Sequence, residues 1–143
     1  MYIVSACLAG VKCRYDGKDN INEEVKALVE QGKAVLVCPE VFGGLPIPRK
    51  PCEIVRDEKG VETVRSVEGV DCTEAFKIGA EKTLGIAKIL GAKEAILKAK
   101  SPSCGCGKIY DGHFNRTLIE GDGFTARLLK ENGIKVYTEE DFN

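Results

Sequence analysis

Apolar positions fall in short runs separated by stretches with helical spacing. The run over 2–7 predicts a first strand. Ile21, Val25, Leu28 and Val29 then recur on one helical face, Asn20 with Glu23 reads as a capping box, and Gly32 stops that helix. The segment over 34–37 is apolar at every position, as expected of a parallel strand covered on both sides. Segments 54–56 and 62–65 flank Asp57-Glu58-Lys59-Gly60 and predict a hairpin at the surface. Asp71 with Glu74 reads as a second capping box for a long helix with Phe76, Ala80, Leu84 and Ala87 on one face and Gly91 at its end. A strand over 94–97 follows. Gly121-Asp122-Gly123 opens a further helix, with Asp122 as its N-cap and Leu128 and Leu129 inside, and Gly133 ends it. A strand over 134–137 closes the pattern.

The order β-α-β, hairpin, α-β, α-β predicts an α/β fold: one Rossmann-like domain over residues 1–143, with a mostly parallel sheet flanked by helices and a surface β-hairpin. Right-handed crossovers bring the carboxyl ends of the parallel strands to one edge. The order of strands within the sheet is not legible. Three polar loops leave that edge, after the first strand, after Val37 and after Leu97. The second carries four of the five prolines between 39 and 51. A long, stiff loop of this kind inside a small domain is more often functional than not.

Composition narrows the classes. Lys and Arg number 21 against 22 Asp and Glu, without the basic excess of a duplex nucleic-acid binder. No apolar run approaches the ~20 residues of a membrane span, and the amino terminus lacks the pattern of a secretory signal. A cytoplasmic protein is expected. No GxxxxGK[ST] and no GxGxxG after a strand points to a nucleotide phosphate.

Seven cysteines change the picture, because a reducing compartment uses surplus thiols as metal ligands, reactive groups or small core residues. Cys72 continues the apolar face of the long helix and is expected in the core. Cys52 is expected to be structural. Cys13 and Cys106 lie in the polar loops as spare ligands. Cys7, Cys38 and Cys104 each sit at or just after a strand end, so the topology brings three thiols together. Such a set suits zinc or an iron–sulfur cluster. Structural zinc usually takes four protein ligands, often in CxxC pairs, and this chain has no CxxC. Its one histidine, His113, reads as a loop residue. A cubane held by three cysteines leaves one iron without a protein ligand. Arg14, Arg49, Lys98, Lys100 and Lys108 lie in or beside the same loops, where cations favour thiolates or simply form a solvated rim. Glu40 is placed to serve as general acid or base, or as a loop carboxylate. Ser101 and Ser103 flank Pro102, where they can orient a water or a polar substrate atom, or cap the loop backbone.

The motifs Ser5-Ala6-Cys7-Leu8-Ala9-Gly10, Arg14-Tyr15-Asp16-Gly17, Cys38-Pro39-Glu40, Gly43-Gly44-Leu45, Pro48-Arg49, Lys100-Ser101-Pro102-Ser103-Cys104-Gly105 and Ile109-Tyr110-Asp111-Gly112 occur in order. Together they resemble the thiouracil desulfidase family over nearly the whole chain. The resemblance implies a [4Fe-4S] cluster on Cys7, Cys38 and Cys104, with Cys13 and Cys106 outside the ligand set. It implies non-redox desulfuration of a small thiolated pyrimidine, with Glu40 and Ser101 as catalytic residues and Ser103, Arg49 and Lys100 toward the substrate. Two other readings stand beside it. One is a non-catalytic carrier of sulfide or iron; the other is a zinc-stabilised interaction domain.

Overall fold

A computed structural model describes residues 1–142. Its elements run β1 (Tyr2–Ser5), α1 (Glu23–Glu30), β2 (Ala34–Val37), α2 (Pro39–Phe42), β3 (Cys52–Arg56), β4 (Glu62–Ser66), α3 (Thr73–Leu90), β5 (Glu94–Leu97), β6 (Lys108–Tyr110), β7 (Leu118–Glu120), α4 (Phe124–Glu131) and β8 (Lys135–Thr138), with 3₁₀ turns at Ala6–Ala9 and Glu139–Phe142. Four strands form a parallel sheet in the order β2-β1-β5-β8. The expected α/β fold with helices on a parallel sheet and a surface hairpin is therefore present. β3 and β4 form that hairpin, and β6 and β7 form a second one that the pattern did not announce.

Alternation along the short strands builds two cores, because successive side chains point to opposite faces. Ile3, Ala95 and Leu97 meet Ala87 of α3 and Ala126 and Leu129 of α4 on one face. Val4 and Ile96 meet Leu8 and Val25 of α1 on the other. Side chains of the size of Val, Leu and Ile contribute roughly 1.5–3 kcal/mol each when fully buried. The short strands therefore owe their stability mainly to this two-sided cover. A satellite cluster of Ile54, Val64, Phe76 and Ile109 fixes the two hairpins to α3. No helix among the described residues is long and apolar enough to cross a membrane.

The helix starts differ from expectation. Asn22, not Asn20, caps α1, accepting from the Glu24 and Val25 N–H groups at 3.1 and 3.2 Å. Cys72 occupies the N-cap position of α3 without a side-chain bond to the helix, and Asp71 accepts from the Thr73 N–H at 2.9 Å. Cys72 is consequently half-buried at the helix entrance rather than in the core. Gly123 caps α4. Asp122 turns aside to the Gly107 N–H at 2.8 Å and the Lys130 ammonium at 3.1 Å. For Asn20 and Asp122 a neighbouring polar group offered the predicted cap a different partner. The first strand also ends early, at Ser5, so Cys7 stands in the following 3₁₀ turn.

The short helix α2, hidden by its prolines, packs tightly on α3. A methyl group at Gly43 would overlap the Ala75 carbonyl, and one at Gly79 would overlap the Pro39 carbonyl. This backbone-to-backbone approach needs glycine at both positions, and it sets the position of Cys38 and Glu40 relative to the sheet.

Candidate active site

The order β2-β1-β5-β8 puts a topological switch between β1 and β5, where chain connections leave in opposite directions. Ligands of open parallel sheets bind beyond the strand carboxyl ends at such a point. A cavity of about 580 Å³ lies there, and Cys7, Cys38 and Cys104 all line it. Arg14, Arg49, Lys50, Lys98, Lys100 and Arg116 face it against two carboxylates, Glu40 and Glu53. Cations thus outnumber carboxylates on the lining.

Each thiol is fixed by a separate local device. Cys7 follows β1, and the Asn20 side-chain amide donates to its sulfur at 3.6 Å. Asn20 is itself held by the Arg14 guanidinium at 2.9 Å, and Arg14 pairs with Asp16 at 3.2 Å. Cys38 sits at the entrance of α2, where the Val41 N–H also reaches its sulfur. Cys104 lies under the loop after β5. The Lys98 N–H donates to the Ser5 hydroxyl at 2.9 Å, and that hydroxyl donates to the Cys104 sulfur at 3.5 Å.

Cys13 lines the same cavity as Cys7 and Cys38, and the Cys38 sulfur reaches its carbonyl at 3.9 Å. Interaction with the Cys38 and Cys7 thiols, with burial, raises the Cys13 pKa. The same interaction holds the Cys38 pKa down at about 7 despite burial, and it lowers that of Cys7 as well. Cys104 is pushed up to about 12 by its own burial, against which Ser5 works. Cys106 is turned away, its sulfur toward the Val136 carbonyl at 3.7 Å, and it does not line the cavity.

The polar residues separate into groups that the sequence could not distinguish. Glu40 lines the cavity and accepts from Arg49 Nε at 2.8 Å. Arg49 is nearly buried, and its remaining donors reach the Cys13 carbonyl at 3.0 Å and the Pro46 carbonyl at 3.2 Å. Its guanidinium thus orients Glu40 and joins two loops. Ser101 lines the cavity too, and its oxygen accepts from the Ser103 and Cys104 N–H groups at 3.1 and 2.8 Å. Lys100 faces the cavity from a left-handed backbone, φ 70°. Lys98 also lines it but pairs with Glu139 at 2.7 Å. Ser103 is not brought to the cavity. It is buried, and its hydroxyl shares a hydrogen bond of 2.9 Å with Thr125. Lys108 and His113 are exposed and lie outside the lining.

Sequence reasoning missed three residues. Ser5 and Asn20 touch cysteine sulfurs. Glu53 is buried and accepts from the Gly112 and Phe114 N–H groups at 2.9 and 3.2 Å, fixing the loop that brings Phe114 and Arg116 to the rim. Ser5 and Asn20 carried a usable signal, since Ser5 ends β1 two residues before Cys7 and Asn20 lies in the segment between Cys7 and α1. Glu53 carried none, because a charged residue in a hairpin strand normally faces water.

Residues 2–141 match the family model described as 2-thiouracil desulfurase. The chain belongs to the 2-thiouracil desulfurase family. The resemblance carried by its motifs is thereby borne out. A relative from Bacillus subtilis (strain 168), called Uncharacterized protein YbbK, is 43% identical over 148 residues, covering 100% of this chain and 98% of its own length. A solved structure of a [4Fe-4S]-dependent thiouracil desulfidase, TudS, is similar with a TM-score of 0.88 and 43% identity, over 98% of this chain and 91% of that one. A family member at this level of similarity keeps the same sheet and therefore the same strand-end edge.

Proposed function

We propose that this protein is a [4Fe-4S]-dependent enzyme that desulfurates a small thiolated nucleobase such as 2-thiouracil. Thiouracil and water give uracil and hydrogen sulfide without net redox change. The observation that carries the reading is the convergence of Cys7, Cys38 and Cys104 from three strand ends on one cavity that also receives Glu40.

The donor set fits the group. It consists of soft thiolate ligands in a cationic surround, and all seven cysteines are free. Among the described residues, no three His, Cys, Asp or Glu side chains gather as a single metal ion would require. Bound by Cys7, Cys38 and Cys104, the cluster supplies one iron without a protein ligand, a Lewis acid for the sulfur of a thiocarbonyl.

The chain's own residues supply the rest. Glu40, oriented by Arg49, takes a proton from the attacking water or moves one at the ring nitrogen, as a positioned carboxylate does. Ser101 fixes the Cys104 loop and presents its hydroxyl proton to the cavity. Lys100 offers a charged donor to a pyrimidine oxygen or to departing sulfide. Tyr15, Tyr110 and Phe114 line the same cavity and give a planar ring apolar walls. A cytoplasmic setting belongs to this reading, since seven unpaired thiols suit a reducing compartment.

The test uses protein purified without oxygen. Iron and acid-labile sulfide near four each per chain, with release of uracil and sulfide from 2-thiouracil, are expected. Metal or sulfide binding without uracil release would favour the carrier reading. Zinc in place of iron would favour the interaction domain.

A further inference from the structure

One carboxylate on the cavity lining is left half-satisfied. Glu53 is the second residue of β3, and successive side chains of a strand face opposite ways. Ile54 enters the cluster with Val64 and Phe76, so Glu53 turns the other way, onto the cavity. It is only 9% exposed. Its Oε1 accepts from the Gly112 and Phe114 N–H groups. The loop that carries them rests directly on β3, since a methyl group at Gly112 would come within 2.6 Å of the Ile54 carbonyl oxygen. Oε2 has no hydrogen-bond partner among the described residues. No side-chain oxygen among them is both sealed from solvent and without a partner, so Oε2 opens on the cavity that Glu53 lines. No described cation on that lining forms an ion pair with it.

We infer that Glu53 is a specificity residue for the desulfuration proposed above, on which this role depends: Oε2 accepts a ring N–H of the thiolated base, while Oε1 holds the loop of Phe114, an aromatic wall of the same cavity. A carboxylate offers acceptors only, so the partner of Oε2 is a donor. A nearly buried oxygen without a donor is costly, and an incoming N–H removes that cost. 2-Thiouracil carries two ring N–H groups, one on each side of the thiocarbonyl carbon. Holding one of them at a fixed oxygen sets the direction of the C=S bond in the ring plane. Glu40 is differently equipped, because Arg49 already grips its carboxylate. Glu40 is left to move protons, and Glu53 reads the ring. A site built to accept an N–H rejects the analogue that lacks it, since its acceptor is then left unpaired. The substrate class narrows to thiolated bases with a free N–H beside the thiocarbonyl.

The test exchanges Glu53 for glutamine, which keeps the shape. In Glu53→Gln the amide oxygen faces the Gly112 and Phe114 N–H groups, so the amide NH2 replaces Oε2 and cannot accept. Calorimetry on protein purified without oxygen compares uracil, the product, with 1,3-dimethyluracil, which has no N–H, and reads binding without turnover. The unmutated protein is expected to bind uracil at least about tenfold more tightly, the scale of one hydrogen bond to a charged group, whereas Glu53→Gln binds the two within about threefold of each other. The KM for 2-thiouracil rises roughly 10- to 100-fold in Glu53→Gln, with a smaller change in kcat. Phe114→Leu is the structural control: it weakens both ligands and keeps the preference for uracil. Equal binding of the two ligands by the unmutated protein, or a preference that persists in Glu53→Gln, would overturn the proposal. An unmutated protein that releases no uracil from 2-thiouracil would instead overturn the desulfuration reading, with the N–H contact still read by calorimetry.

Discussion

The Arg49 guanidinium grips the Glu40 carboxylate through Nε at 2.8 Å and through Nη2, while the same Nη2 reaches the Cys13 carbonyl at 3.0 Å. One side chain therefore aims the carboxylate of the Cys38-Pro39-Glu40 loop and fastens it to the loop after Cys7. The Arg49 N–H donates to the Tyr15 carbonyl at 2.8 Å, which tightens the same junction.

Under the proposed desulfuration, Glu40→Gln keeps the cluster and lowers kcat by about 10²–10⁴-fold, the usual contribution of a positioned acid or base. Arg49→Met leaves the carboxylate in place but misaimed. It is expected to lower kcat less than Glu40→Gln does. Parallel iron analysis and turnover of 2-thiouracil check both variants. A Glu40→Gln protein with normal turnover would remove Glu40 from the chemistry.

Gly79→Ala drives a methyl group into the Pro39 carbonyl at the α2–α3 contact. The clash meets backbone rather than a flexible side chain, so α2 must shift. A stability loss of at least about 1–3 kcal/mol is expected from overpacking. Because α2 begins next to Cys38, iron content after anaerobic reconstitution falls as well. Gly85→Ala lies in the same helix with open space around it and serves as the control. Urea unfolding of the two variants separates the close-approach effect from ordinary helix propensity.

Asn20→Ala removes the amide that donates to the Cys7 sulfur at 3.6 Å. A donor near a cluster thiolate stabilises the more negative, reduced state, so its loss lowers the reduction potential of a cluster bound there. Spectroscopic redox titration of reconstituted protein measures the change. Asn20→Gln, which keeps the amide on a longer arm, should recover part of it. An unchanged potential in Asn20→Ala would show that the contact does not reach the metal site.

Glu62 joins Arg56 at 2.6 Å and Arg127 at 2.7 Å, linking the β3–β4 hairpin to α4. Its partial burial opposes the charge, but the hydrogen bonds and charges of Arg127 and Arg56 prevail and hold its pKa below the ordinary value of 4.5. A depressed folded-state pKa contributes stability above the unfolded value, and that stability is lost as pH falls through the folded value. Glu62→Gln should therefore be less stable than the unmutated protein near neutral pH, and the gap should shrink below about pH 4.5. The gap is expected to be no more than about 1 kcal/mol, because the arginines are partly exposed. Urea midpoints measured from pH 7 to pH 3 test the sign, and a gap that widens on acidification would reverse the assignment.

Hydrophobic pattern alone located the four parallel strands, helices α1, α3 and α4, and the β3–β4 hairpin, because apolar spacing is a local property that burial rewards directly. It also marked Cys7, Cys38 and Cys104, since each follows a strand and parallel strands share one carboxyl edge. Caps were less legible. Asn20 and Asp122 have the chemistry of caps, but Arg14, Lys130 and the Gly107 N–H drew them elsewhere. Helix α2 was hidden by Pro39, which is tolerated at a first helical position but weakens the local signal.

The sequence by itself determined the fold class, the family and the three thiols at the strand ends. Periodicity and ordered motifs are written along the chain. Only the tertiary structure decided the strand order and the pairing of Arg49 with Glu40. It alone turned Ser103 toward Thr125 and brought Cys13 to the cavity that Cys7 and Cys38 line. The reason is physical. A hydrogen bond between residues far apart in the chain depends on the distance and direction at which packing leaves them, and no local spacing encodes either.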